Sequence, residues 1–161
     1  MHKIVTISRE FGSGGRELGK RLAEELGIPC YDHQIIEMIA KENGFDERYV
    51  ANVSEKSIEA AYPMTIGHRF AMPSMEIMEQ PIRVAAAQRQ IIENFAKQGD
   101  CVIIGRCADY ALAEFPNVVS VFITADEDVK IRTLMERHQI SESQARDVMI
   151  KTDKKRASYY N

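Results

Sequence analysis

Four short apolar runs, separated by segments with helical periodicity, constrain this chain more than any other feature of its sequence. Each run has the length and composition of a strand buried in a sheet: Lys3–Ser8, Ile28–Asp32, Cys101–Gly105 and Val118–Thr124. Buried strands that alternate with helices predict an α/β layered fold with a mainly parallel sheet. In such a sheet, ligands bind at the carboxyl ends of the strands.

The helix that follows the first strand has a recognisable apolar face and a recognisable end. Leu18, Leu22, Ala23 and Leu26 recur at helical spacing, and Gly27 is placed as the C-terminal cap. The sequence therefore predicts an amphipathic helix that packs these apolar side chains against the sheet.

The overall charge and the cysteine content exclude several classes of protein. The 161 residues carry a formal net charge of −3, whereas a general nucleic-acid binder carries a large basic excess. No apolar run approaches the length of a membrane span, and the first residues do not form a signal peptide. Cys30, Cys101 and Cys107 form no C-x-x-C pair and no Cys/His cluster, so no disulfide scaffold and no zinc site is expected. We expect one cytoplasmic domain with no membrane or nucleic-acid partner.

A glycine-rich loop, here called the glycine loop (Gly12–Gly15), joins the first strand to the first helix. Glycine permits left-handed backbone and the close approach of a ligand, and the helix N-terminus adds a partial positive charge. These features predict a cradle of backbone N–H groups for phosphate oxygens. A tight strand-to-helix turn that binds no ligand is the alternative.

The chain as a whole resembles the cytidylate kinase-like branch of the P-loop nucleoside monophosphate kinases. The resemblance is carried by ISREFGSGGRELGKRLAEELG, VIIGRCADYAL and IKTDKKRASYYN. It implies a three-layer P-loop NTPase fold whose loop binds the phosphates of ATP, used with Mg²⁺. A helical insert then holds the acceptor nucleotide, and an arginine-bearing lid closes over both substrates.

The same resemblance implies a division of the chain. The core comprises about residues 1–44 and 99–125, the helical acceptor insert about 45–98, and the lid region about 126–161. The family continues beyond the lid into a fifth strand and a last helix, so this C-terminal strand is expected to be missing here.

The glycine loop departs from the Walker A pattern G-x-x-x-x-G-K-[ST]. In the family alignment Arg9 stands at the first glycine and Gly15 at the lysine, and Arg16 and Glu17 replace a glycine and a threonine. Arg9 or Arg16 is expected to supply the lost positive charge, because a guanidinium binds phosphate through two hydrogen bonds. For Arg16, a solvated position in the first helical turn is the alternative. The expected cofactor-binding residues are Arg9, Gly12, Ser13, Gly14, Gly15, Arg16 and Glu17.

Three residues are expected to bind the acceptor. Arg106 follows the third strand, where a guanidinium meets either a phosphate or an ion-pair partner, with Asp109 or Asp32 as the candidates. The resemblance places Asp32 close to the acceptor, whereas its position before a helical segment also predicts an N-cap. Asp109 is placed either to hold Mg²⁺ through water or to lie on the helix surface.

The resemblance also assigns charged residues to catalysis. Arg132 and the Asp153-x-x-Arg156 pattern match lid positions of the family, and together with Arg106 they form the expected catalytic set. Phosphoryl transfer spreads negative charge over the transferred group, which mobile arginines stabilise. A solvated helix face is the alternative for each lid cation.

The insert is rich in methionine, with Met64, Met72, Met75 and Met78 in its irregular part. Methionine adapts to varied surfaces, so this segment predicts an acceptor-binding region, ordinary core, or a contact between copies of the chain in a homo-oligomer.

The function predicted from the sequence is ATP-dependent phosphoryl transfer to a small acceptor, nominally a nucleoside monophosphate such as CMP. Two alternatives remain open. One is a nucleotide- or anion-binding module that has lost catalysis, which the missing lysine and threonine favour. The other is a kinase for a non-nucleotide acceptor.

Overall fold

The strands of the protein form one parallel sheet. In the computed structural model, which describes residues 2–53 and 75–160, they are β1 (Ile4–Arg9), β2 (Cys30–Tyr31), β3 (Cys101–Ile104) and β4 (Val118–Ile123). Their order across the sheet is β2–β3–β1–β4, and every pairing is parallel. The α/β fold with a parallel sheet, predicted from the sequence, is confirmed.

Seven helices lie within the described residues. They are α1 (Gly15–Leu26), α2 (Gln34–Asn43), α3 (Glu47–Val53), α4 (Met75–Gln98), α5 (Ala108–Ala111), α6 (Glu127–His138) and α7 (Glu142–Tyr160). α1 is capped by Gly27 at φ 63°, in the left-handed conformation that the sequence predicts for a helix end.

β1 lies in the middle of the sheet, between β3 and β4. Ile4 is paired with Cys101 on one side and with Val118 on the other. Just beyond β3, the backbone N–H of Gly105 donates to the carbonyl of Ile7 at 2.8 Å. Because the strands are parallel, the residues that follow β1, β2 and β3 meet along one edge of the sheet.

The apolar face predicted for α1 is confirmed only in part: Ala23 is buried and Leu22 packs beside it, but Leu18 and Leu26 do not pack against the sheet. Leu18 is 48% exposed and Leu26 is 50% exposed, whereas Gly19 and Ala23 are buried. A Cβ atom on Gly19 would lie 2.8 Å from Cδ1 of Ile104. Small residues therefore let the backbone of α1 approach the sheet closely, and Leu18 and Leu26 lie outside the contact.

Most of the buried apolar side chains lie on the other face of the sheet, where α2 and α4 pack. The core there includes Ile35, Ile39, Val84 and Ile92. The buried side of α4 also carries Gln88, which reaches the turn that follows β3.

β4 is a strand, as predicted, but it is not buried. Val119 is 60% exposed and Phe122 is 62% exposed. Among the described residues β4 pairs with β1 alone, so it forms an edge of the sheet. An apolar composition predicts a strand but does not reveal its place in the sheet order.

Some of the expectations concern residues that the structure does not describe. Met64 and Met72 lie in the segment 54–74, outside the described residues, so the contact between copies of the chain stays a prediction. The division into core, insert and lid stays a prediction as well. No helix in the described ranges is long and apolar enough to cross a membrane.

Candidate active site

The glycine loop opens at the carboxyl edge of the sheet. Gly12 and Gly14 have φ angles of 84° and 80°, in the region that favours glycine. A Cβ atom on Gly12 would lie 2.9 Å from the carbonyl oxygen of Lys130, so α6 closes the loop on that side. No atom lies within 4 Å of a Cβ position on Gly14, so the loop is open there.

The open side of the loop presents backbone N–H groups. Within residues 2–53 and 75–160, no acceptor is found for the N–H groups of Gly14, Gly15, Arg16 and Glu17. The first bond of α1 is donated by Leu18 to the carbonyl of Gly14 at 3.0 Å. Unpaired N–H groups at a helix N-terminus, next to an open glycine, form a site with the geometry and charge to bind an anion.

Ser13 does not turn its hydroxyl to the open side of the loop. Its Oγ donates to the carbonyl of Glu10 at 2.8 Å, and its N–H donates to the same carbonyl at 3.4 Å. Ser13 therefore stabilises the loop conformation in this structure.

Arg9 packs where the lysine of a Walker A loop would begin. A Cβ atom on Gly15 would lie 2.6 Å from Cβ of Arg9 and 3.2 Å from Cβ of Ile123. The guanidinium of Arg9 lies against Gly105, where it occupies the direction in which a side chain would point. The side chain of Arg9 therefore extends from the end of β1 and places its positive charge at the end of β3.

Arg16, in the first turn of α1, forms an ion pair with Asp32, which follows β2. Nε of Arg16 lies 2.5 Å from Oδ2 of Asp32, and Asp32 is only 9% exposed. The prediction that Asp32 caps α2 is wrong, since the residue before α2 is His33 and no side chain caps the helix. The carboxylate of Asp32 turns instead to Arg16, which leaves Asp32 no ion pair with Arg106.

Arg106 lies in an unusual turn after β3. Gly105, Arg106 and Cys107 follow one another with φ angles of 71°, 59° and 48°. A left-handed conformation costs a non-glycine residue roughly 1–2 kcal/mol. The turn is closed by the N–H of Ala108, which donates to the carbonyl of Gly105 at 3.1 Å.

Gln88 supports this turn, and the sequence reasoning did not identify it. Its Nε2 donates to the carbonyl of Arg106 at 2.9 Å, and the residue is only 4% exposed. One signal was present in the sequence, because Gln88 is a polar residue on the helix face formed by Val84, Ile91 and Phe95. A buried amide on an apolar face requires a hydrogen-bond partner.

The structure does not bring every expected residue to the loop. Arg132 is exposed on α6, about 200° around the helix from Lys130, which faces the loop. Asp109 is the second residue of α5 and is half-buried beside the turn that holds Arg106.

Asp153 and Arg156 tie α7 to the backbone of the loop. Oδ1 of Asp153 accepts from the N–H of Phe11 at 2.7 Å, and Nη1 of Arg156 donates to the carbonyl of Arg9 at 3.0 Å. The Arg156 guanidinium also lies over the ring of Phe11, with Cζ at 5.5 Å from its centroid. Their i, i+3 spacing places both side chains on one face of α7.

A buried lysine continues this contact under the loop. Nζ of Lys130, a residue 8% exposed, lies 2.9 Å from Oε2 of Glu10 and 3.8 Å from Oδ2 of Asp153. Hydrogen bonds from Thr124 and from Lys130 lower the pKa of Glu10 below its ordinary value. Nothing in the sequence distinguished Lys130 from the other cations of this region.

Glu17 also has a partner within the protein. Its Oε1 accepts from Nη2 of Arg137 at 2.7 Å, so the residue that stands at the threonine of the family alignment bridges α1 to α6. Both side chains are substantially exposed, and such a pair contributes little to stability.

Comparisons with known proteins agree with this architecture. The sequence profile of the cytidylate kinase-like family matches residues 4–161. A solved structure described as an uncharacterized protein from Eubacterium ventriosum ATCC 27560 is 30% identical, with a TM-score of 0.69 over 99% of this chain and 76% of that one. Shikimate kinase from Bacteroides thetaiotaomicron has the same fold at 16% identity, with a TM-score of 0.55 over 99% of this chain and 82% of its own. No curated protein sequence matches the chain.

Proposed function

Because the chain belongs to the cytidylate kinase-like family, we propose that it transfers a phosphoryl group from ATP to a small acceptor, nominally a nucleoside monophosphate such as CMP. Family membership supports the phosphotransferase role. The observation that carries the proposal is the row of unpaired N–H groups from Gly14 to Glu17 at the open side of the glycine loop. These groups suit the phosphates of a nucleotide donor.

The donor half of the site requires little chemistry from the protein beyond positioning. The N–H groups of the first turn of α1 hold the phosphate oxygens, and Arg16 at the same turn supplies a positive charge. Mg²⁺ that accompanies ATP neutralises charge on the phosphates. Glu17 and Asp32 are paired with Arg137 and Arg16, so Mg²⁺ bound with ATP would be held mainly by the phosphates and by water.

The acceptor half is assigned to the end of β3. Arg106 lies in a turn that is closed by a backbone hydrogen bond and is held by the side chain of Gln88. The backbone of Arg106 is therefore fixed in position. A guanidinium there orients an acceptor phosphate and stabilises the charge of the transition state, with no covalent enzyme intermediate.

An assay of ADP release with several acceptors tests this function. The full chain is supplied with MgATP and CMP, dCMP, UMP, AMP or non-nucleotide alcohols. We expect acceptor-dependent ADP release that is largest with a nucleoside monophosphate and is lost in Arg106→Ala. Arg21→Ala, which removes an exposed arginine from α1, is the matched control and should keep the activity. ADP release with an alcohol alone would instead identify a kinase for a non-nucleotide acceptor.

A nucleotide-binding module without catalysis is the second candidate. Gly15 at the lysine position and the pairing of Glu17 with Arg137 favour it, because two groups that usually contact the donor phosphates and Mg²⁺ are absent. In that case ATP binds, but no acceptor accelerates ADP release.

A further inference from the structure

We propose that Asp32 is a positioning residue that holds Arg16, and that the terminal guanidinium nitrogens of Arg16 bind the donor phosphates in place of the absent lysine. This inference rests on the proposed function, since it assumes that ATP binds at the glycine loop. It gives Asp32 a role different from both the helix cap and the acceptor ligand suggested by the sequence.

The position of Asp32 carries the first part of the inference. Its side chain is largely buried, Arg16 is its only ion-pair partner among the described residues, and its Oδ2 has no hydrogen-bond partner there. The backbone N–H of Asp32 donates to Oε1 of Gln34 at 3.0 Å, which holds the residue at the end of β2. A buried carboxylate needs a charged partner, so Asp32 holds the Arg16 side chain in one place.

The geometry of Arg16 carries the second part. The contact with Asp32 is made through Nε, and Nη1 and Nη2 have no partner among the described residues. The side chain as a whole is 52% exposed. Arg16 also belongs to the turn whose N–H groups lack acceptors. Its guanidinium and those N–H groups therefore bind the same phosphate anion.

Arg9, the other expected substitute for the lysine, is placed differently. Its guanidinium packs against Gly105 and its Cβ fills the space beside Gly15. Arg9 therefore lies between the ends of β1 and β3, whereas Arg16 belongs to the turn with the unpaired N–H groups. This difference favours Arg16 as the ligand of the donor phosphates.

Pairing with Arg16 also changes what Asp32 itself can bind. The negative charge of the carboxylate is offset at 2.5 Å by a guanidinium, so it attracts a cation less than an unpaired carboxylate does. When Arg16 is removed, Asp32 becomes a negative charge beside an anion site, and it then opposes phosphate binding.

Calorimetric titration of ATP into four proteins tests the inference: the wild-type chain, Arg16→Ala, Asp32→Asn and the double variant. We expect Arg16→Ala to weaken ATP binding about 10- to 100-fold, the size of one or two lost charge-assisted hydrogen bonds. Asp32→Asn should weaken binding several-fold in the wild-type background. In the Arg16→Ala background the same substitution should leave binding unchanged or tighten it.

The dependence of the Asp32→Asn effect on Arg16 distinguishes positioning from a structural role. A residue that only stabilises the fold lowers binding equally in both backgrounds, and that result would overturn the inference. Tighter binding of ATP by Asp32→Asn alone would also overturn it, because the carboxylate would then only repel phosphate. Arg21→Ala is the matched control on the same helix, and thermal melting identifies any variant that is not folded.

The wild-type titration separates this inference from the proposed function. If the folded wild-type chain does not bind ATP at millimolar concentration, the proposed function fails and the inference fails with it. If the wild type binds ATP and Arg16→Ala binds it equally well, the inference alone is overturned.

Discussion

Arg9 and Gly15 are sterically coupled, since a Cβ atom on Gly15 would lie 2.6 Å from Cβ of Arg9. These are the two positions at which the loop departs most from the Walker A pattern, with arginine at the first glycine and glycine at the lysine. The two departures depend on each other sterically, because the Arg9 side chain occupies the space that a side chain at position 15 would need.

Restoring the lysine alone should therefore destabilise the protein. We expect Gly15→Lys to lower the free energy of unfolding by about 1–3 kcal/mol, because extra atoms in a filled site force neighbours to shift. Urea denaturation of the wild type, both single variants and Arg9→Gly/Gly15→Lys measures the coupling. The double variant should lose less stability than the sum of the single variants, and strict additivity would contradict the steric relationship.

The left-handed conformation of Arg106 allows a comparison of two variants that remove the same side chain. Arg106→Gly should be more stable than Arg106→Ala by about 1 kcal/mol, because glycine adopts a φ of 59° without strain. Both variants should lose acceptor-dependent ADP release to the same extent. Equal stability of the two variants in urea denaturation would show that the turn relaxes when the arginine is removed.

The pairing of Glu10 with Thr124 and Lys130 predicts a dependence of stability on pH. The pKa of Glu10 is lower in the folded protein than its ordinary value of 4.5. Its contribution is therefore fully present above pH 4.5 and is lost as the pH falls through the folded-state pKa. We expect the wild type to lose stability more steeply than Glu10→Gln between about pH 5 and pH 3 in urea denaturation. Parallel curves for the two proteins would rule out this contribution.

The contacts of Asp153 and Arg156 predict which variants release α7 from the loop. Arg156→Ala removes the hydrogen bond to the Arg9 carbonyl and the contact with the Phe11 ring. Amide hydrogen exchange should become faster in the C-terminal half of α7 and around Phe11. Lys154→Ala removes an exposed cation from the same helix and is the matched control. Exchange that is unchanged in Arg156→Ala would show that the contacts of Arg156 do not hold α7 against the loop.

Local features of the fold were readable from the sequence. The four strands lie where the apolar runs predict them, and α1 and α2 end at Gly27 and Gly44 in left-handed conformation. The glycine loop joins β1 to α1 with two positive φ angles. Periodicity and glycine conformation depend on neighbouring residues alone, so a single sequence is sufficient to predict them.

The contacts that shape the candidate site join residues far apart in the chain. Gln88 meets Arg106, Asp153 meets Phe11, and Lys130 meets Glu10 only because the sheet order brings their elements together. The same order leaves β4 exposed at an edge, although its composition is that of a buried strand.

The sequence by itself determined the α/β architecture, the family and the position of the glycine loop, since these depend on local periodicity and on motifs that can be matched residue by residue. Only the tertiary structure decided which arginine lies beside the unpaired N–H groups and what holds it. Arg16 and Asp32 are close because α1 begins at the edge of the sheet where β2 ends. Arg9 is directed to Gly105 because β1 and β3 are neighbours in the sheet.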